Sequence, residues 1–130
     1  SGTLSATEHS AMGIVNPAGF KGAPGGCSPE VVLIGGLNAC LMLTFLHQMQ
    51  RRKLEVLAYE SSAQGTLEHL DEKYRVTKIV VRPRVSLKSA EDIAAAREAI
   101  RETEGLCMIS NSILATVQLD PEFDTPSTPV

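Results

Sequence analysis

Residues 28–46 read SPEVVLIGGLNACLMLTFL, and the reading of this stretch decides the fold. Ser28, Pro29 and Glu30 form a helix start. Serine caps the first free amides, proline takes the first helical position, and the carboxylate lies beside the positive end of the dipole. No proline follows before Arg52, so the helix is expected to run from Pro29 to about Arg52. Apolar residues from Val31 to Met49 cover most of its circumference. A helix apolar all round is buried on most sides. In a chain of 130 residues that calls for a central helix wrapped by sheet or by a second subunit, and a homodimer is the expectation. Gly35, Gly36, Asn38 and Thr44 interrupt the apolar run, which falls short of the roughly 20 apolar residues of a membrane span. A buried helix is expected, not a membrane partner.

Working outward, residues 1–27 read as one or two short strands followed by a Gly/Pro loop. Downstream, Leu54–Glu68 and Tyr74–Leu87 read as strands, with Asp71-Glu72-Lys73 as the turn of a hairpin. Pro83 inside the second points to an edge strand or a bulge. Ser89 with Asp92 opens a second helix, whose inner stripe is Ile93, Ala96 and Ile100 and which Gly105 stops. Met108 to Val117 suggests a further helix opened by Cys107, then a short strand to Leu119. The fold class is α+β, with a long buried helix and an antiparallel sheet. One domain is expected over residues 1–130, with its core at 28–119 and a loose tail at 120–130.

The chain is 43% hydrophobic and 21% charged, the balance of an ordinary globular protein. A net charge of -3 and the absence of tryptophan argue against a nucleic-acid partner. No secretory signal is visible. Cys27, Cys40 and Cys107 are an odd number without CxxC spacing, so a reducing cytoplasm suits them better than a disulfide scaffold. Three Cys and three His without ligand spacing do not suggest a metal site.

The two later cysteines differ in setting. Cys107 is read as the N-cap or first residue of a helix, where free amides favour a thiolate; a small apolar filler is the other reading. Cys40 is mid-helix, and local context alone makes it a core cysteine. His47 lies about 10 Å further along the axis and reads as a polar residue near the helix end.

Taken together, SPEVVLIGGLNACLMLTFL and LCMISNSI resemble the OsmC/Ohr family, the osmotically inducible and organic hydroperoxide resistance proteins. The matching residues are Pro29, Glu30 and Cys40 in the first motif and Cys107, Ile109, Ser110 and Asn111 in the second. The resemblance implies an intertwined α+β homodimer with two active sites near the interface. It implies a thiol peroxidase of stress response, acting on organic hydroperoxides or hydrogen peroxide. Cys40 would be the peroxidatic thiol, Cys107 the resolving one and Glu30 a site residue. An external dithiol would be the reductant, and no cofactor or metal is implied. The pairing requires Cα atoms within about 7 Å. Cys27 is a bystander or an alternative resolving thiol.

In the family an arginine from the N-terminal strands holds the thiolate, paired with the glutamate. Here Lys21 is the only lysine or arginine before Arg51. The cation is therefore expected from an arginine preceding residue 1, from Lys21, or from Arg82 or Arg84, which flank Pro83 on one face of their strand. A solvated strand face is the plainer reading of the last two. Glu30 is about 15 Å from Cys40 along one straight helix, so contact needs a break at Gly35-Gly36 or a Glu30 from the other subunit. Without a cation near Cys40, the alternative function is a small-molecule or fatty-acyl binding module.

Overall fold

The computed structural model describes residues 2–6, 9–14 and 28–126. The chain divides into two compact units, Ser1–Gly35 and Gly36–Val130. In the first, β1 (Gly2–Ala6) pairs antiparallel with β2 (His9–Ile14); short strands were expected here, and their pairing is a finding of the structure.

Helix α1 spans Pro29–Arg51 without a break at Gly35-Gly36. Its start is built as the sequence demands: Ser28 Oγ accepts the Val31 amide at 3.2 Å. Its end is a Schellman motif. The Leu54 amide donates to Met49 O and the Lys53 amide to Gln50 O, both at 3.0 Å, with Lys53 at φ 59. Leu37, Leu41, Phe45, Gln48 and Met49 form its buried row. Much of the remaining apolar surface is bare in this chain: in its most apolar window, of mean hydropathy 1.7, 17% is buried. By length and composition this helix alone, among the described residues, could cross a membrane. The expected burial on most sides is thus met on one side only by this chain's own sheet.

Strands β3 (Val56–Leu70) and β4 (Lys73–Leu87) form the expected hairpin. Leu70 pairs with Lys73, so Asp71 and Glu72 are the two loop residues, at φ 49 and 64. Such a loop has the twist that strands favour, at the cost of left-handed backbone in two residues with side chains. Ile79, Val81, Pro83, Val85 and Leu87 alternate inward, while Arg82 and Arg84 are exposed on the other face.

Three expectations are corrected here. The sheet is mixed: β5 (Thr116–Leu119) and β6 (Glu122–Asp124) both pair with β4 in parallel. Strand β4 is central, not an edge, and no bulge lies at Pro83. The missing proline amide falls where the second ladder is interrupted between Val81↔Leu119 and Arg84↔Glu122. The tail is not loose from Asp120. Phe123 orders β6, with its ring 6.5 Å from that of Phe45 and the Arg97 guanidinium 5.4 Å from its centroid.

Ser89 caps as expected, accepting from the Glu91 amide, and a 3-10 turn (Ala90–Asp92) leads into α2 (Ile93–Leu106). Ala96, Ala99, Ile100 and Thr103 are its buried face. The core closes with Phe45 and Met49 of α1 against Val85 and Leu87 of β4 and Ala96, Ala99 and Ile100 of α2.

Candidate active site

Cys107 continues the buried row of α2 one turn past Thr103, and its residue is wholly buried. It is the C-cap of α2, with its amide donating to Thr103 O at 3.0 Å. The expected position at the start of a following helix is corrected. A 3-10 turn (Ser110–Ser112), not a helix, follows it. Asn111 and Ser112 bond backbone carbonyls locally, and such local bonding competes with helix.

That turn nevertheless brings amides to the thiol. The chain reverses after α2 so that the Ser110 amide donates to Cys107 Sγ at 3.4 Å. The Asn111 amide donates to Cys107 O at 3.1 Å, and the Asn111 side chain donates to Gly105 O at 3.0 Å. Ser112 Oγ donates to Met108 O at 2.7 Å. The polar residues of CMISNS thus tie the loop to the end of α2 and aim the preceding amides inward.

Cys40 reaches the same turn from α1. It is half-buried, on a row with Gly36, Thr44, His47 and Arg51 that borders the buried row of Leu37, Leu41, Phe45 and Gln48. The two thiols lie near enough to shift each other's ionisation, and neither is in a disulfide. The structure therefore brings Cys40 and Cys107 together from elements far apart in sequence.

Their environments push them in opposite directions. Burial pulls the Cys40 thiol up, but the Ile109 backbone, the Cys107 thiol, the Thr44 hydroxyl and the Met108 backbone together hold it below an ordinary thiol. Burial pushes Cys107 up, the Ser110 amide opposes this, and the neighbouring Cys40, once charged, raises it further. When two thiols are coupled, the first to ionise opposes ionisation of the second. Here Cys40 is the thiol that ionises more readily.

Cys40 opens into a cleft of about 660 Å³. Its walls include Leu43, Leu106 and Met108, and His47, Gln48 and Arg51 lie further along α1. His47 shares the cleft with Cys40 but stands two turns away. Arg51 was missed in the sequence because its distance from Cys40 hides that both lie on one helical face. The spacing of three turns between positions 40 and 51 was the available signal.

The other candidates are dispersed. Arg82 and Arg84 are on the outer sheet face and border a separate cleft with Asp120, Pro121 and Glu122, where Arg84 meets Glu122 at 3.6 Å. Strand alternation turns them away from the face that packs on Phe45 and Met49, so the solvated reading holds for them. Glu30 belongs to the first unit; its Oε2 is buried without a hydrogen-bond partner among the described residues. Lys21 and Cys27 lie outside the described residues.

Comparison with known proteins shows the family and the fold. The family described as OsmC-like protein matches residues 21–122, a span containing both thiols. The uncharacterized protein YmaD of Bacillus subtilis is 30% identical over 109 residues, covering 82% of this chain and 73% of its own. An OsmC-like protein of unknown function from Vibrio cholerae superposes with a TM-score of 0.83 at 24% identity, covering 92% of this chain and 82% of the other. A Legionella pneumophila structure, described as an organic hydroperoxide resistance protein OsmC and predicted redox protein, has a TM-score of 0.66 at 18% identity, covering 88% and 82%. Sharing the fold of these structures and matched by the family over most of its length, the chain belongs to the OsmC-like protein family.

Proposed function

We propose that this protein is a thiol-dependent peroxidase that reduces organic hydroperoxides or hydrogen peroxide. The observation that carries the reading is the meeting of two free thiols, Cys40 at a cleft and Cys107 buried beneath the Ser110 amide, and the downward shift of Cys40 and upward shift of Cys107 support it. A buried thiol needs compensation to react. Backbone groups of Met108 and Ile109 supply it here, as peptide dipoles do in anion-binding turns.

The Cys40 thiolate attacks the terminal peroxide oxygen, and the O–O bond breaks. The alkoxide or hydroxide leaves and takes up a proton, so that Cys40 ends as a sulfenic acid and the product is an alcohol or water. The Cys107 sulfur then attacks the sulfenic sulfur. The oxygen departs as water with the thiol proton, and a Cys40–Cys107 disulfide forms. An external dithiol reduces it by exchange and is itself oxidised to a disulfide. Glu30 enters this reading through the family resemblance, and its unpartnered buried oxygen favours a cationic neighbour in the assembled protein. The assembly proposed is a cytoplasmic homodimer, supported by the bare apolar side of α1.

The test is peroxide consumption with dithiothreitol or dihydrolipoamide as reductant. Cys40→Ser is expected to abolish turnover and leave no dimedone-trapped sulfenate. Cys107→Ser is expected to consume about one equivalent and stop with Cys40 oxidised, since the first step survives and resolution does not. A sulfenate trapped on Cys107 in the wild type would reverse the roles. If neither thiol outpaces free cysteine, the protein is a binding module and not a peroxidase.

A further inference from the structure

Thr44 stands one turn beyond Cys40 on the same row of α1, and both line the cleft. Its Oγ1 donates to Cys40 O at 2.8 Å. Such bonding back to the preceding turn is common for threonine in helices. Here the turn is that of the reactive thiol, and Thr44 is half-buried at the cleft wall. A hydroxyl has one hydrogen and two acceptor sites. The hydrogen of Thr44 is held by the Cys40 residue, and once Cys40 is a thiolate, no group among the described residues donates to the oxygen. The Met108 and Ile109 backbone groups act on Cys40 from the turn after α2, and His47 is two turns away. Thr44 therefore offers an unused acceptor beside the sulfur.

We propose that Thr44 is a substrate-positioning residue whose hydroxyl oxygen accepts the O–H of the hydroperoxide and holds its terminal oxygen against Cys40. The inference rests on the peroxidase reading above and adds the group that recognises the peroxide itself. Side chains one turn apart on a helix have Cβ atoms about 5–6 Å apart. One peroxide oxygen fits that interval, about 3–3.5 Å from the sulfur as attack requires and about 2.7–2.8 Å from the hydroxyl. The bond to Cys40 O restrains the hydroxyl, so its acceptor sites are set before substrate arrives. The attacked oxygen keeps its hydrogen and becomes the sulfenic hydroxyl, while the alkoxide or hydroxide leaves and takes up a proton. The recognised feature, a hydrogen on the attacked oxygen, is shared by hydrogen peroxide and all organic hydroperoxides and is absent from dialkyl peroxides.

The experiment measures two second-order rates on Cys40 in the reduced full chain, at one pH and without added reductant. One is oxidation by tert-butyl hydroperoxide; the other is alkylation by N-ethylmaleimide, which carries no O–H or N–H. Peptide mass mapping assigns both to Cys40. Both reagents react with the thiolate, so the ratio of oxidation to alkylation cancels any change in Cys40 ionisation. Thr44→Val removes the hydroxyl and keeps the branched shape. It is expected to lower the ratio about tenfold, as one hydrogen bond to the substrate is lost. Thr44→Ser keeps the hydroxyl and is expected to retain most of the ratio. Thr44→Ala takes the place of Thr44→Val if circular dichroism shows the latter unfolded. A ratio unchanged on loss of the hydroxyl overturns the proposal. So does an equal fall in Thr44→Ser, which assigns the effect to packing of the methyl group. Wild type oxidised no faster than free cysteine overturns the peroxidase reading and this proposal with it, whereas fast wild type with an unchanged ratio overturns this proposal alone.

Discussion

Cys40 and Cys107 have the same chemistry and different neighbours. The difference is set by a few donors at the 107–112 turn and by a helix row that leaves Cys40 half open. The pH dependence follows from the direction of each shift. Cys40 titrates below the 9.0 of an ordinary thiol and Cys107 above it. As pH rises, Cys40 therefore becomes a thiolate first, and its charge then opposes ionisation of Cys107. Alkylation by iodoacetamide, followed by peptide mass mapping, is expected to label Cys40 before Cys107, with the Cys40 rate reaching its plateau below the pH of a free thiol. In Cys107→Ala one donor is gone, and the Cys40 midpoint is expected to move up. Labelling of Cys107 first would contradict the assignment.

Among the elements, the hairpin of β3 and β4 carries its own strain. Asp71 and Glu72 both adopt positive φ in a two-residue loop, a place that favours glycine at its second position. Relieving one left-handed residue is worth about 1–2 kcal/mol, and the extra freedom of glycine in the unfolded chain returns about 0.4–1 kcal/mol of it. Glu72→Gly is therefore expected to stabilise by about 0.5–1 kcal/mol, a rise of about 3 °C in Tm, checked by thermal unfolding at matched protein concentration. The same reasoning applies to Lys53, whose left-handed backbone closes the Schellman motif of α1. A fall in Tm for Glu72→Gly would mean that the glutamate makes contacts that outweigh its backbone strain.

For the whole molecule, the deciding quantity is the apolar surface that α1 leaves bare. One chain packs Phe45 and Met49 against Val85, Leu87 and α2, and leaves residues such as Val31 and Leu43 at 56% and 63% exposure. A soluble protein rarely shows such a surface unpaired. Light scattering is expected to give twice the 13.9 kDa of one chain at micromolar concentration. A mass of one chain under those conditions would leave α1 without its proposed cover.

The sequence by itself determined where α1 begins, since a cap, a proline and a glutamate in three consecutive residues set a helix start locally. It determined the hairpin and that Arg82 and Arg84 share one strand face, because strand alternation is a property of neighbours, and left open whether that face met the thiolate or solvent. It carried the pair of cysteines through motif resemblance. The helix-start reading of Cys107 failed because Asn111 and Ser112 bond the end of α2 and the turn beyond it instead of extending a helix, a competition that composition leaves open. The central place of β4 and the ordering of Phe123 were also decided only in three dimensions, since parallel pairing joins segments with α2 between them. So was the donor set around Cys40: its groups come from the turn after α2, and Arg51 joins the cleft only because α1 presents positions 40 and 51 on one face. Caps and alternation act between adjacent residues and are written in order along the chain, whereas a thiolate's neighbours are chosen by packing between distant elements.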